Sequence, residues 1–290
     1  MTSARNLISH NLKSQVDQNL NMRFLVHHYS HYEYTSPITL GPHTLRLVPQ
    51  GPGLSSLVHD LQIVPTPVFR TAQVDGFGNQ VIAVAFSGTT NIFRIDSRFE
   101  VVTAAYTPSF DPGFLPLPWR SESVGLSVDK TVVAFALKLA ADVSYQALPF
   151  VDHLNRVLHS NMKFDVRLEG GAQDAAETLR TMKGACRDAT VLFMDCCRAL
   201  GLMSRFVSGY QSVADTPDGQ RHLHAWPEVY LPGLGWRGYD PTHGLTVADG
   251  HILLCAAPSQ GDTMPVEGGF SFIGSHITST LKFGITISTS

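Results

Sequence analysis

Gly184-Ala185-Cys186-Arg187-Asp188-Ala189-Thr190-Val191-Leu192-Phe193-Met194-Asp195-Cys196-Cys197-Arg198-Ala199-Leu200-Gly201 is the stretch on which the reading of the chain turns. Ala189, Leu192, Phe193, Cys196 and Leu200 recur at steps of three and four, which lines one face of a helix. Gly201 follows as the expected left-handed stop. The spacing predicts a helix over 186–200 that opens on a cysteine. The first turn of a helix has unpaired N–H groups and a partial positive charge, and both favour thiolate over thiol. The same N–H groups can hold a developing oxyanion. Gly184 would let a substrate backbone approach closely. Taken alone, Cys186 reads first as a small buried cysteine that only packs.

Two segments downstream change that balance: His224-Ala225-Trp226 and Tyr239-Asp240-Pro241-Thr242. A thiol, an imidazole and a carboxylate are the parts of a nucleophile, its base and the group that orients the base. His224 lies on a strand candidate with Trp226, Glu228 and Tyr230 on one side and Ala225, Val229 and Leu231 on the other. If 223–231 and 235–241 form a hairpin, loop length decides which side chains share a face. A two-residue loop at 233–234 puts His224 and Asp240 on opposite faces. A three-residue loop at 232–234 pairs 226 with 240 and leaves His224 and Asp240 diagonal on one face, roughly 7–8 Å apart by Cα. Gly235 suits the left-handed bulge position of such a loop, so the odd-length loop is expected. Pro227 cannot donate to a ladder and suggests an edge or a bulge.

Before this region the pattern differs. Residues 22–110 read as short strands and turns: Phe24 to Tyr34, Thr44 to Val48, Val81 to Phe86, Asn91 to Ile95 and Phe99 to Thr103, with Asp75-Gly76-Phe77-Gly78-Asn79 as a hairpin turn. A β-sandwich is expected there. Prolines at 108, 112, 116 and 118 mark a boundary. Helices are expected at Val132 to Tyr145, Phe150 to Leu158 and Gln173 to Met182, and late strands over Phe270 to Ser288. The expected organisation is a flexible extension over 1–21, a β-rich domain over 22–120 and an α+β core over 121–290, whose last strands could return to the first domain.

Composition bounds the partners. The chain has 290 residues, 43% hydrophobic and 16% charged, with a net charge of −3. Such a chain folds, and it has no cationic block for nucleic acid. No run approaches the roughly 18 apolar residues of a membrane span, and no signal-peptide pattern opens the sequence. Cysteines stand at 186, 196, 197 and 255, with no Cys-x-x-Cys pair. A reducing, cytoplasmic setting is expected. No metal or cofactor is expected: no acidic loop has calcium-ligand spacing, His27 and His28 face opposite sides of a strand, and His222 with His224 lacks a third ligand. Cys255 reads as core, Asp188 as a helix cap, and Arg187 as a contact to substrate or to a local partner. Trp226 and Trp236 are candidate walls of the site.

At these segments the chain resembles the bacterial transglutaminase-like family, a branch of the papain-like cysteine enzymes. The matching residues are Gly184 to Asp188, Cys197 to Gly201, Arg205 to Tyr210, His224 to Gly233, Gly235-Trp236 and Tyr239 to Thr242. Tyr32-Glu33-Tyr34, Leu45 to Pro49 and Asp75 to Asn79 resemble the β-rich domain that precedes this core in many bacterial members. The resemblance implies a papain-like fold, Cys186 as nucleophile, His224 as base and Asp240 as orienting carboxylate. It implies attack on a peptide or protein carboxamide, a thioester, and its resolution by water or by an amine. Where relatives often carry an Arg-Asp pair, this chain has Ser259-Gln260-Gly261-Asp262, which bears on substrate recognition. A peptidase of the same fold, a non-catalytic scaffold and a metal hydrolase using His222 and His224 are the alternatives.

Overall fold

The computed structural model describes residues 21–104, 128–212, 216 and 218–290. The proline-rich boundary and all but the last residue of the expected 1–21 extension lie outside these. The first unit is an antiparallel sheet built on β1 (Met22–Leu45), β2 (Leu54–Val64), β3 (Phe69–Val74), β4 (Gln80–Ala85) and β5 (Thr90–Thr103), in the order β2-β5-β1-β4-β3. Two late strands, Val266–Phe272 and Ser279–Thr289, also pair with β1.

The two runs read separately at Phe24 to Tyr34 and Thr44 to Val48 belong largely to one 24-residue strand, β1. It changes partners along its length. Residues 22–33 pair with β5 and 43–45 with β4, and the register with β5 shifts between Glu33 and Ile38. Pro37 falls inside that shift, where its missing N–H breaks no ladder bond. In the same way Asn91 to Ile95 and Phe99 to Thr103 form the single strand β5. Asp75 closes the β3–β4 hairpin by accepting from the N–H groups of Phe77 and Asn79, each at 2.9 Å.

The second unit follows. It comprises α1 (Lys130–Asp142), α2 (Ala147–Asn161), β6 (Lys163–Phe164), α3 (Ala175–Thr181), β7 (Lys183–Gly184) and α4 (Cys186–Ala199). Next come β8 (Ser204–Gln211), β9 (His224–Leu231), β10 (Gly235–Asp240), β11 (Leu245–Thr246) and β12 (His251–Ala257), then the late strands β13 (Val266–Phe272) and β14 (Ser279–Thr289). The five strands β8–β12 form a sheet in the order β11-β10-β9-β8-β12. Ala189, Leu192, Phe193, Cys196 and Cys197 of α4 are buried with Val229 and Leu231 of β9 and Tyr239 of β10. Full burial of Leu192 and Phe193 stabilises by about 1.5–3 kcal/mol each. Gly201 ends α4 in the left-handed region at φ 74°, and Leu202 N–H closes on the Cys197 carbonyl at 2.9 Å.

The two units share one apolar cluster, in which Tyr210, Ile252 and Leu254 join Phe24, Phe93 and Phe99. Asn79 clamps them further. Its amide donates to the Ala256 carbonyl at 3.0 Å and accepts from the Ala256 N–H at 2.8 Å. The arrangement is α+β, with an antiparallel N-terminal sheet and a helix bearing Cys186 packed on an antiparallel sheet bearing His224 and Asp240.

Pro227 corrects the edge expectation. It lies in β9, an interior strand, opposite Phe206 of β8. Tyr230 N–H points toward β8, to the Met203 carbonyl, so by alternation residue 227 faces the β10 side. The β9–β10 ladder ends at Glu228 and Gly238, one residue earlier, so no bond is lost.

Gly209 of β8 marks the tightest point between strands. A Cβ there would overlap the Ile252 carbonyl oxygen and lie 2.6 Å from the Trp226 ring. Gly209→Ala is expected to cost at least about 1–3 kcal/mol through overpacking, read as a lower urea midpoint with an unchanged slope. An unchanged midpoint would contradict this packing.

Candidate active site

Cys186 is the first residue of α4, and the N-terminal turn is fixed by Asp188. Ala185 has no side-chain oxygen, so only the reciprocal half of a capping box forms: the Asp188 carboxylate accepts from the Ala185 N–H at 2.7 Å. Asp188 has no exposed surface and also accepts from Arg167 and the Gln173 N–H, both at 2.7 Å. This gives Gly184 a role beyond the one expected. A Cβ on it would sit 2.7 Å from the Asp188 carboxylate, so its lack of a side chain makes room for the cap. Arg187 takes the local option and donates to the Glu169 carbonyl at 2.9 Å.

β9 and β10 are joined through residues 232–234, with Leu231 opposite Gly235 and Tyr230 opposite Trp236. This is the odd-length loop, and Gly235 has φ 70°. In this register the His224 Nε2 lies 2.8 Å from Asp240 Oδ2. The other face of the imidazole edge meets Cys186: the thiol is hydrogen-bonded to His224 and receives the Ala225 N–H. Thiol, imidazole and carboxylate therefore form one chain of contacts.

The carboxylate has further partners that the sequence reading missed. Asp240 Oδ2 also faces His243 Nδ1 at 2.9 Å and His251 Nε2 at 3.1 Å. Asp240 Oδ1 accepts from the N–H groups of Thr242 and His243 at 3.0 and 3.3 Å. His243 stands three residues beyond Asp240 in the same turn, a spacing legible in sequence. His251 arrives from β12, on the far side of β8, and only the strand order brings it in.

Charge follows from this packing. Burial opposes ionisation of Cys186, but the bond and charge of His224 outweigh it and hold the thiol below its ordinary value. Burial would also lower His224. The charge and hydrogen bond of Asp240, with the bond to Cys186, raise it instead to about 10. Burial would raise Asp240, and His224 together with His243 and His251 holds it well below the usual carboxylate range. Burial keeps His251 lowered, hence neutral at neutral pH. The lowered Cys186 and the raised His224 together favour a thiolate facing an imidazolium. The raised His224 contributes stability that is complete below pH 6.5 and is lost as pH rises through about 10. The depressed Asp240 contributes stability present above pH 3.8 and lost as pH falls further.

Trp226 and Trp236 occupy places other than the wall of the thiol. Both line a cavity of about 330 Å³ whose lining residues also include Gly51, Leu54, Glu228 and His251, but not Cys186. Trp226 is buried and meets His251 edge-on at 5.2 Å, so it backs the imidazole cluster. Trp236 lies under the Arg205 guanidinium at 4.2 Å. His222 turns to Asp218 at 2.6 Å, so it does not share a ligand set with His224. Gln260, in the stretch where the arginine was missed, accepts from the Ala172 N–H at 2.6 Å and braces the loop before α3.

Two family models match this chain. One, described as transglutaminase-like superfamily, spans residues 134–241, and the other, bacterial transglutaminase-like N-terminal region, spans residues 24–102. The chain therefore carries a transglutaminase-like core preceded by a bacterial transglutaminase-like N-terminal region. An uncharacterized protein of Mycobacterium tuberculosis is 26% identical over 273 residues, covering 85% of this chain and 87% of that one. One of Mycobacterium leprae is 23% identical over 273 residues, covering 86% and 93%. The crystal structure of a candidate cysteine protease from Cytophaga hutchinsonii superposes with a TM-score of 0.68 at 16% identity, covering 93% of this chain and 90% of that one. At that identity the likeness is one of fold, and the fold is that of papain-like cysteine enzymes.

The thiolate–imidazolium pair predicts how Cys186 reacts. At pH 7 an ordinary thiol with a pKa near 8.5 is only about 3% ionised. His224→Ala is expected to slow iodoacetamide alkylation of Cys186 by about tenfold or more at that pH, followed by intact-mass spectrometry. Equal rates in both proteins would contradict the pairing.

Proposed function

We propose that the protein is a cysteine acyltransferase or amide hydrolase acting on peptide or protein carboxamides through a Cys186–His224–Asp240 triad. The observation that carries this reading is the continuous contact from Cys186 through His224 to a fully buried Asp240. Sγ attacks the carboxamide carbon, and the oxyanion develops near the first turn of α4, where the Cys186 and Arg187 N–H groups precede the first intrahelical bonds. The Ala225 N–H binds sulfur in the resting state. His224 then gives its proton to the leaving nitrogen, ammonia or amine departs, and a thioester remains. Water or a primary amine, deprotonated by His224, resolves it. Asp240 keeps the imidazole oriented and balances its charge throughout.

A peptidase of the same fold uses the same steps on a backbone amide. A scaffold without catalysis would not need a buried carboxylate to depress a thiol, and the metal hydrolase on His222 and His224 is disfavoured because His222 turns to Asp218 while His224 clusters with Asp240 and His243. The reaction is expected inside a reducing compartment, where the thiol persists.

Incubation with glutamine-peptide libraries, with and without a primary amine, separates the outcomes by mass. A gain of about one mass unit is deamidation, an amine adduct is transamidation, and shortened peptides are proteolysis. Cys186→Ala is expected to lower any of these rates by about a thousandfold or more. Turnover that persists in Cys186→Ala, or none in the parent protein across all libraries, would overturn the proposal.

A further inference from the structure

The Asp240 carboxylate has more imidazole around it than orientation of one base requires. The His224 nitrogen, the Asp240 oxygen and the His243 nitrogen lie mutually within 4.8 Å. Asp240 Oδ2 is 2.8 Å from His224 Nε2 and 2.9 Å from His243 Nδ1. Two imidazoles and one carboxylate are a ligand set for zinc with a fourth position left open. With ligand distances near 2.0–2.1 Å, tetrahedral ligands stand roughly 3.3 Å apart, so the two contacts of Asp240 Oδ2 would each open by about half an ångström, while the two imidazole nitrogens already lie within 4.8 Å of each other.

Each ligand already has the outer partner that a metal site needs. His224 has Cys186 on its other nitrogen. Asp240 has Thr242 and His243 N–H groups on its other oxygen. His243 Nε2 faces the side-chain amide nitrogen of Gln211 at 3.4 Å. Gln211 is only 7% exposed, and its carbonyl oxygen is buried without a partner. A half-turn of that amide would place the oxygen against His243. It would then accept an Nε2–H and leave Nδ1 as a lone pair directed at Asp240. The arrangement thus has a second hydrogen-bonding state, in which His243 is set up as a ligand.

We propose that His224 Nε2, Asp240 Oδ2 and His243 Nδ1 form a binding site for a borderline divalent cation of the zinc class, and that its occupancy switches the triad off. On binding, the Nε2 proton of His224 is released to solvent. The ring keeps one proton, on Nδ1 facing Cys186, and has no lone pair with which to take a proton from an incoming water or amine. The thioester, once formed, is not resolved. The switching consequence rests on the catalytic reading of Cys186; the binding site does not.

Cobalt(II) titration of the Cys186→Ala protein separates the two. A saturable visible d–d absorbance with one metal per chain is expected, because the thiol is not a ligand. His243→Ala and Asp240→Asn should weaken binding beyond the roughly 10–100-fold typical of losing a supporting contact, and Gln211→Ala should fall within that range. If His243→Ala fails to fold, His243→Gln keeps a donor to Asp240 while removing the imidazole ligand. Binding absent in Cys186→Ala, or indifferent to His243 and Asp240, overturns the site. With the unmodified chain, zinc should stop turnover over the same concentration range in which it binds, and chelation should restore it. Binding without loss of turnover overturns the switch and leaves the site. Absence of turnover in metal-free protein refutes the catalytic reading and the switch with it, and the cobalt result stands independently.

Discussion

A single oxygen of the fully buried Asp240 carboxylate, Oδ2, faces three imidazoles. A buried charge without partners costs several kcal/mol, so this group is tolerable only because its neighbours surround it. Everything else in the second unit supports that condition. The 232–234 loop sets the register that turns His224 toward it. β12 must lie beside β8 to deliver His251, and the turn after β10 must close to deliver His243 and two backbone N–H groups. The carboxylate in turn favours the charged His224, and that charge lowers the Cys186 thiol.

Cys186 is held from the other side by a second buried carboxylate. Asp188 is fully enclosed, caps the start of α4 and draws Arg167 and the Gln173 N–H toward it. Thus two buried aspartates, one under the helix start and one behind His224, fix the ends of the contact chain. The N-terminal sheet contributes by closure. Its apolar residues share a cluster with β8 and β12, and Asn79 clips Ala256. Residues 251–257 are thereby held where His251 can reach Asp240.

What was legible in the sequence was local. The face of α4 follows from apolar spacing, and the His224–Asp240 diagonal follows from counting loop residues with Gly235 at a left-handed position. His243 could have been found from the same turn, since it stands three residues beyond Asp240. His251 could not, because its place depends on a strand order that crosses from β9 over β8 to β12. Pro227 was misread because a missing N–H excludes pairing on one side only, and that side is where the ladder already ends. The room that Gly184 leaves for Asp188 was not legible from the glycine itself, because it shows only once the next turn of chain is folded.

The central claim is that Asp240 keeps His224 protonated beside a thiolate at neutral pH. Nitrogen-15 NMR of histidine-labelled, metal-free protein, titrated through alkaline pH, tests it directly. The account predicts one imidazole doubly protonated until about pH 10, with that signal assigned to His224 by its loss in His224→Gln. If every histidine instead loses its second proton at or below the ordinary value of 6.5, the thiolate–imidazolium pair does not exist.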